Sequence, residues 1–229
     1  MTIDIDQRVP PLAAGDKLTR EQFLRRWEGH SEIKNAELIG GIVYMASPVS
    51  IQHGEMDGRV GAWLGVYEAA TPGTSHVHNS TLFLQDDIPQ PDINLRILPE
   101  CGGGSWVEDD YLHGAAELLV EICRSSASYD LHVKYDLYQA ARVPEYLAVL
   151  LYEKEIRWHV LAGDAYQLLS PDADGLWRSR VFPGLWLDGP ALLAGDMSRV
   201  LDRLQTGLKS PEHQQFVARL AARREGRGA

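Results

Sequence analysis

The alternation of apolar and polar positions predicts short helices and strands along the whole chain. Thr19 followed by Gln22 fits a capping box that opens a short helix to about Trp27. The run AELIGGIVYMA at 36–46 places two apolar segments around a Gly-Gly pair, which is typical of a β-hairpin. Ser50 caps a second helix of about 18 residues, whose apolar stripe contains Ile51, Met56, Val60, Trp63, Leu64 and Tyr67.

The second half of the chain is dominated by strand patterns. TSHVHN, TLFLQ and PDINLRIL alternate as strands, and a loop is predicted from Pro99 to Gly114. ELLVEIC at 117–123 is almost continuously apolar, as in a strand buried on both faces. A helix over about 128–142 and three more strands follow, and 176–187 is predicted to be irregular. This order indicates an α/β fold with a mixed central sheet flanked by helices.

Charge is distributed unevenly. The chain has 22 basic and 32 acidic residues, a formal charge of −10, but residues 198–229 alone carry +4 and leave −14 on the rest. We therefore predict an N-terminal arm at 1–18, a main domain at 19–197 and a basic helical extension at 198–229. The extension is solvated by default, and DNA tracking or dimerisation are its alternative roles. The net charge excludes a protein that holds DNA by bulk charge.

Composition also limits the compartment and the covalent chemistry. Cys101 and Cys123 cannot form a disulfide framework and lack the spacing of a zinc site. The first residues lack the apolar core of a secretory signal, and no stretch approaches the roughly 20 apolar residues of a membrane span. We expect a cytoplasmic protein without a membrane partner.

Three polar side chains are not explained by local structure. Glu121 lies mid-strand among apolar neighbours, where a carboxylate needs a partner or a metal, unless it reaches solvent at the sheet end or pairs with an arginine. Lys134 falls in the inward stripe of the next helix, unless it pairs with Asp130 on a solvated face. Asp92 opens the strand PDINLRIL, which by itself is also a common way to begin a turn or strand.

Together these three residues favour metal-assisted chemistry. Two carboxylates on neighbouring strands suit a hard divalent cation such as Mg²⁺. A nearby lysine can orient an attacking water or stabilise charge on a phosphate. His76 and His78 share a strand face, but they supply half a metal site at most because no Cys or acidic partner lies at ligand spacing.

The order Asp, strand Glu and Lys resembles the PD-(D/E)XK restriction-endonuclease-like nucleases, and most closely the Uma2 family of restriction-endonuclease type. The similar stretches are AELIGGIVYMASPVSIQHGEM, QPDINLRIL and ELLVEICRSSASYDLHVKYDLYQAARVPEYLAVL, within residues 36–151. The resemblance implies a restriction-endonuclease-like fold, hydrolysis of DNA phosphodiester bonds, Mg²⁺ or Mn²⁺ as cofactor, and a homodimer whose two sites suit two strands.

The resemblance also assigns residues. It implies that Asp92 and Glu121 bind the metal, that Lys134 replaces the lysine usually found two residues after the glutamate, and that Glu37 assists. His53 also matches a family position, and the alternative interpretation is that it is an ordinary, partly buried helix histidine. Cys123 occupies the usual lysine position, and Ala116-Glu117-Leu118 stands where relatives often have Pro-Asp-Leu. A nuclease-fold binding module without turnover therefore stays open, as does action on RNA or branched DNA.

Overall fold

The structure is a computed structural model that describes residues 9–45, 48–124 and 130–226. Its helices are α1 (Arg20–Glu28), α2 (Ile51–Ala70), α3 (Tyr135–Ala140), α4 (Gly189–Ala194), α5 (Met197–Leu208) and α6 (Pro211–Gly226). Its longer strands are β1 (Ala36–Ile39), β2 (Ile42–Met45), β3 (Thr74–His78), β5 (Ile93–Ile97), β8 (Leu118–Cys123), β9 (Glu145–Leu150), β10 (Glu155–Ala162) and β11 (Ala165–Leu169). Its short strands are β4 (Leu82–Phe83), β6 (Trp106–Glu108), β7 (Tyr111–His113), β12 (Trp177–Arg178) and β13 (Trp186–Leu187).

A six-stranded sheet forms the centre of the fold, in the order β11-β10-β9-β8-β5-β3. Only β8 and β9 run parallel among its neighbouring pairs. Every residue of β8 is buried, because helices or loops cover both of its faces. The predicted mixed central sheet flanked by helices is therefore confirmed.

The two faces of β8 belong to different cores. Leu118, Val120 and Ile122 pack into the main core, which also contains residues of α2, α4, α5 and α6. Leu119 and Cys123 pack into a second core with Leu131 and Tyr138 beside α3. The strand alternation thus places Glu121 on the α3 side of the sheet.

Several local predictions are confirmed by the backbone. The Thr19–Gln22 capping box begins α1, and the Ser50 side chain accepts a hydrogen bond from the His53 amide at the start of α2. The Gly40–Gly41 turn joins β1 to β2, and both glycines have positive φ, at which a Cβ would be strained. Ile51 was expected in the buried stripe of α2 but is exposed, because it occupies the first turn, beyond the edge of the core.

The predicted loop at 99–114 and the predicted irregular segment at 176–187 are both wrong in part. The first contains a 3₁₀ turn (Pro99–Cys101) and the β6–β7 hairpin, and the second contains β12 and β13. These strands have two or three residues, too few for an alternating pattern to be visible in sequence. The predicted helix at 128–142 is described from a π-helical turn (Asp130–Lys134) through α3, and its predicted start lies outside the described residues.

The basic C-terminal segment is not simply solvated. Val200 and Leu204 of α5 and Phe216 and Leu220 of α6 are buried in the main core. The expectation of a solvated extension is therefore wrong for the inner faces of both helices, whereas Arg203, Arg219, Arg223 and Arg224 are exposed. Of the predicted arm, residues 1–8 lie outside the described part, and Leu12 and Leu18 are buried against the β1–β2 region.

A buried carboxylate at the start of β9 gives the fold a pH dependence. Glu145 is fully buried and accepts hydrogen bonds from Ser179 Oγ, Trp158 Nε1 and the amides of Arg180 and Val181. Burial outweighs these bonds and raises its pKa from 4.5 to about 7. Between these two values the unfolded chain releases a proton that the folded chain retains.

Stability is therefore expected to fall as the pH rises from about 4.5 to 7, by up to about 3 kcal/mol. Thermal unfolding between pH 5 and 8 measures this, and Glu145→Gln should lose that part of the slope because its side chain does not titrate. Glu212→Gln, on the exposed face of α6, serves as the control and should keep the wild-type profile. An unchanged profile in Glu145→Gln would contradict the assignment.

Candidate active site

The candidate site lies in an open cavity of about 550 Å³ between β1–β2, the start of α2 and the ends of β5 and β8. Glu37, Asp92, Glu121 and Lys134, the four predicted site residues, all line it. They come from four separate elements of the chain, so the fold brings together residues that the sequence keeps apart. His53 and Arg124 also line this cavity.

Lys134 connects two of the carboxylates. Its Nζ lies 2.9 Å from Glu121 Oε1 and 2.9 Å from Glu37 Oε1. The lysine and Glu121 side chains are only 4% and 3% exposed, whereas Glu37 is 17% exposed. The inward orientation predicted for Lys134 is therefore what the structure has. The alternative pairing of Lys134 with Asp130 involves a side chain outside the described residues. Glu121 does not reach solvent, and its cationic partner is Lys134.

Tyr138 is a site residue that the sequence did not single out. Its hydroxyl donates a hydrogen bond of 2.7 Å to Glu121 Oε1, and its side chain is fully buried. Burial and the negative charges of Glu121 and Glu37 raise the pKa of Tyr138 well above its usual range, so it stays a donor. The available signal was its position one helical turn after Lys134, on the same stripe.

Asp92 is fixed by two donors. Its Oδ2 accepts a 2.6 Å hydrogen bond from the backbone amide of Ile122, the residue after Glu121. Its Oδ1 lies 3.1 Å from His53 Nε2. The Asp92 carboxylate therefore lies beside β8 at the level of Glu121. In this position the carboxylates of two neighbouring strands line the same cavity.

Glu37 is oriented by the segment that precedes β5. Its Oε1 accepts a 2.6 Å hydrogen bond from the Gln90 amide, in addition to the Lys134 contact. Gln90 in turn donates through its side-chain amide to Thr81 Oγ1 at 2.9 Å. Hydrogen bonds thus connect Glu37 of β1 to the segment that leads into Asp92.

The charge of the cavity is negative. Among the described residues that line it, Glu37, Asp57, Asp92 and Glu121 oppose Lys134 and Arg124, which gives these residues a formal charge of −2 with His53 counted as neutral. In the described ranges no group of three or more His, Cys, Asp or Glu side chains is placed to hold a metal ion by itself. A cation here would therefore use few protein oxygens together with water or substrate oxygens, which is the usual mode for Mg²⁺.

His76 and His78 each have an acidic partner, which corrects the expectation that none lies near, although among the described residues they are not part of a group of three that could hold a metal ion. His78 Nδ1 lies 3.1 Å from both carboxylate oxygens of Asp57, and His76 Nδ1 contacts Glu68 Oε2. Both carboxylates belong to α2, so the histidines connect this helix to β3. Gly61 and Gly65 provide the room, since a Cβ at Gly61 would lie 2.6 Å from the His78 ring.

Comparison with known proteins identifies the family. The sequence model of the Uma2 family, described as "Putative restriction endonuclease", matches residues 20–190 of the 229-residue chain. The chain belongs to the Uma2 family. The resemblance drawn from residues 36–151 is thereby confirmed, and the match extends to α1 and to the start of α4.

The fold of this Uma2 chain has a counterpart among solved structures. A protein from Anabaena variabilis, described as "a putative nuclease belonging to DUF820", superposes with a TM-score of 0.50 at 13% sequence identity. The alignment covers 77% of this chain and 99% of that one, and at this identity it shows a shared fold. No curated protein matches the chain. Within the described ranges, no helix is both long and apolar enough to cross a bilayer.

Proposed function

We propose that this Uma2 chain is a metal-dependent endonuclease that hydrolyses phosphodiester bonds of DNA in the 550 Å³ cavity. The observation that carries the proposal is the convergence of Glu37, Asp92 and Glu121 on that cavity together with a buried lysine. Family membership and the nuclease-like fold support the same class of reaction.

The side chains fit a hard divalent cation, Mg²⁺ or Mn²⁺. Carboxylate oxygens are the ligands such ions prefer, and Asp92 and Glu121 would hold the ion with Glu37 assisting. A formal charge of −2 repels a phosphate, so substrate binding here needs added positive charge. When bound, the cation supplies electrostatic stabilisation of the charge that develops on the phosphate oxygens.

Other residues of the chain orient the carboxylates and offset part of their charge. His53 and the Ile122 amide fix the Asp92 carboxylate, while Tyr138 and Lys134 fix Glu121. Lys134 also offsets part of the carboxylate charge, and we propose that it orients the attacking water once substrate is bound. Two such sites in a homodimer would serve the two strands of a duplex.

Cleavage of supercoiled plasmid tests the proposal. Wild-type protein is expected to nick or linearise the plasmid with Mg²⁺ or Mn²⁺ and to leave it intact in EDTA. Glu121→Gln should be inactive under all conditions, whereas Glu55→Gln, the same change on an exposed face of α2, should cut at the wild-type rate. Absence of cleavage in every condition would favour a nuclease-fold binding module, and equal cleavage by Glu121→Gln would show that the cavity is not the site.

A further inference from the structure

A row of stacked side chains crosses the small three-stranded sheet β4-β7-β6. Phe83, His113 and Trp106 are paired neighbours on the three strands, so their side chains share one face. The Phe83 and His113 rings are stacked with centroids 4.6 Å apart, and the His113 and Trp106 rings follow at 5.8 Å. The Arg20 guanidinium lies 4.9 Å from the Phe83 ring centroid.

The row ends in an indole that the fold leaves uncovered. Phe83 is 7% exposed, but Trp106, on the edge strand, is 47% exposed. In the described part of the chain, His113 is the one ring recorded as stacked on Trp106. Gly114 has a φ of +79°, and a Cβ there would lie 2.8 Å from the indole. The indole is therefore held against the hairpin backbone while much of its surface faces solvent.

A cavity of about 360 Å³ adjoins this row. Its walls include Arg20, Phe83, Gln85, Trp106 and His113, which we call the Trp106 platform. Among the described residues that line the cavity none is acidic, and Arg20 supplies positive charge. Gln85 is exposed, and its backbone carbonyl accepts a hydrogen bond of 2.5 Å from Arg20 Nη1, so the two side chains belong to the same wall. The cavity therefore offers the exposed indole of Trp106, one cation and the side-chain amide of Gln85.

The platform is close to the candidate active site along two separate segments. Asn79 lines the larger cavity and Phe83 lines the smaller one, and four extended residues span at most about 14 Å. Lys134 and Ala141 likewise line the two cavities, and the seven-residue helical segment between them is about 10 Å long. A stacked nucleic-acid strand rises about 3.4 Å per nucleotide, so three or four nucleotides cover this distance.

We propose that the Trp106 platform binds an unpaired nucleobase of the strand that enters the candidate active site. Every base has a π-face that stacks on an exposed indole. A glutamine amide matches the donor and acceptor edge of a base such as adenine, and a guanidinium favours the adjoining phosphate. The substrate class in this inference rests on the proposed function, whereas the platform itself does not depend on turnover.

The charges around the hairpin favour a single unpaired strand over a duplex. Glu108, Asp109 and Asp110 lie at the β6–β7 turn, and Glu108 Oε2 accepts a 3.1 Å hydrogen bond from Trp106 Nε1. A duplex laid along the hairpin would bring its phosphates against these acids. Arg20 lies at the opposite end of the row from Trp106, so a strand that enters from that end meets a cation first, and only an unpaired base can present its free face to the indole.

Binding of a fluorescein-labelled single-stranded 12-nucleotide DNA in EDTA tests the proposal without catalysis. Fluorescence anisotropy is expected to show that Trp106→Ala weakens the affinity by about tenfold or more. Gln85→Ala should weaken it by a smaller factor, and Trp106→Phe should retain most of it. Val107→Ala is the matched control, because Val107 is 57% exposed on the same strand but points to its other face.

The results separate this proposal from the proposed function. Wild-type affinity in both Trp106→Ala and Gln85→Ala would overturn the platform even if the plasmid is cleaved. Loss of affinity in these variants, with no plasmid cleavage by wild type, would support the platform and contradict the nuclease. Thermal unfolding checks that the variants fold. If Trp106→Ala does not fold, the DNA affinity of Gln85→Ala still tests the proposal. Dissociation of a dimer by Trp106→Ala, with DNA affinity unchanged, would instead assign the indole to a contact with a second copy.

Discussion

Asp92→Asn is expected to reduce metal-dependent DNA cleavage about a thousand-fold while the chain stays folded. The amide has nearly the same shape and can still accept the hydrogen bond that the Ile122 amide gives to Asp92. It lacks the negative charge, however, and a bound cation contributes several kcal/mol to the stabilisation of a phosphoryl transition state. Losing a charged ligand should therefore affect the rate far more than the fold.

Asp57→Asn is the matched control for this prediction. Asp57 lines the same cavity, but its carboxylate pairs with His78 instead of the β8 backbone. Its change should reduce cleavage much less than Asp92→Asn. Mn²⁺ binding, measured by calorimetry or by electron paramagnetic resonance, should weaken in Asp92→Asn and persist in Asp57→Asn. Equal metal affinity and equal cleavage in the two variants would contradict the role of Asp92.

The sequence was most informative where a polar residue interrupted an apolar pattern. Glu121 in an otherwise apolar strand and Lys134 in an inward helical stripe are unfavourable alone, and they form a 2.9 Å ion pair on the side of the sheet that carries the second core. The sequence predicted that Glu121 needs a partner or a metal, but it did not predict that Lys134 is that partner. Such residues are visible in sequence because burial is encoded by periodicity, and a charge within that periodicity is costly unless it is compensated; the pairing itself is visible only in the structure.

What the sequence could not provide was the set of partners that distant segments contribute. Tyr138 is an ordinary aromatic in a helical stripe until its hydroxyl meets Glu121. The Gln90 amide that orients Glu37 lies 53 positions away along the chain and has no periodic signature. The β6–β7 hairpin was missed for a different reason, since its three-residue strands pair with each other, and β7 also with β4, without a long alternating pattern.

The basic C-terminal segment shows how composition can mislead. Its surplus of arginines predicted a solvated helix, but α5 and α6 bury one face each in the main core. Arginine side chains on one side of a helix are compatible with an apolar stripe on the other. A net charge averages over both sides and therefore cannot detect the buried one.

Lys134→Met is expected to lower the free energy of unfolding by about 3–5 kcal/mol. The methionine side chain is similar in length, but it removes the cation that lies 2.9 Å from both Glu37 and Glu121. Glu121 is 3% exposed, so its charge would be left without that compensation in the second core. Urea unfolding of wild type and variant measures the difference, and Lys209→Met, at an exposed position after α5, should change it by less than about 0.5 kcal/mol.

Adding Glu121→Gln to Lys134→Met is expected to restore much of the lost stability, because the buried charge that lacked a partner is then removed as well. A neutral amide can still accept the hydrogen bond from the Tyr138 hydroxyl. The double variant should nevertheless stay inactive, since it lacks both a metal-binding carboxylate and the lysine. The double variant would then be stable but inactive. The ion pair contributes to folding because both charges are buried together, and to catalysis because each residue faces the cavity. Additive losses in the double variant, with no coupling between the two changes, would contradict the ion pair as the source of the stability.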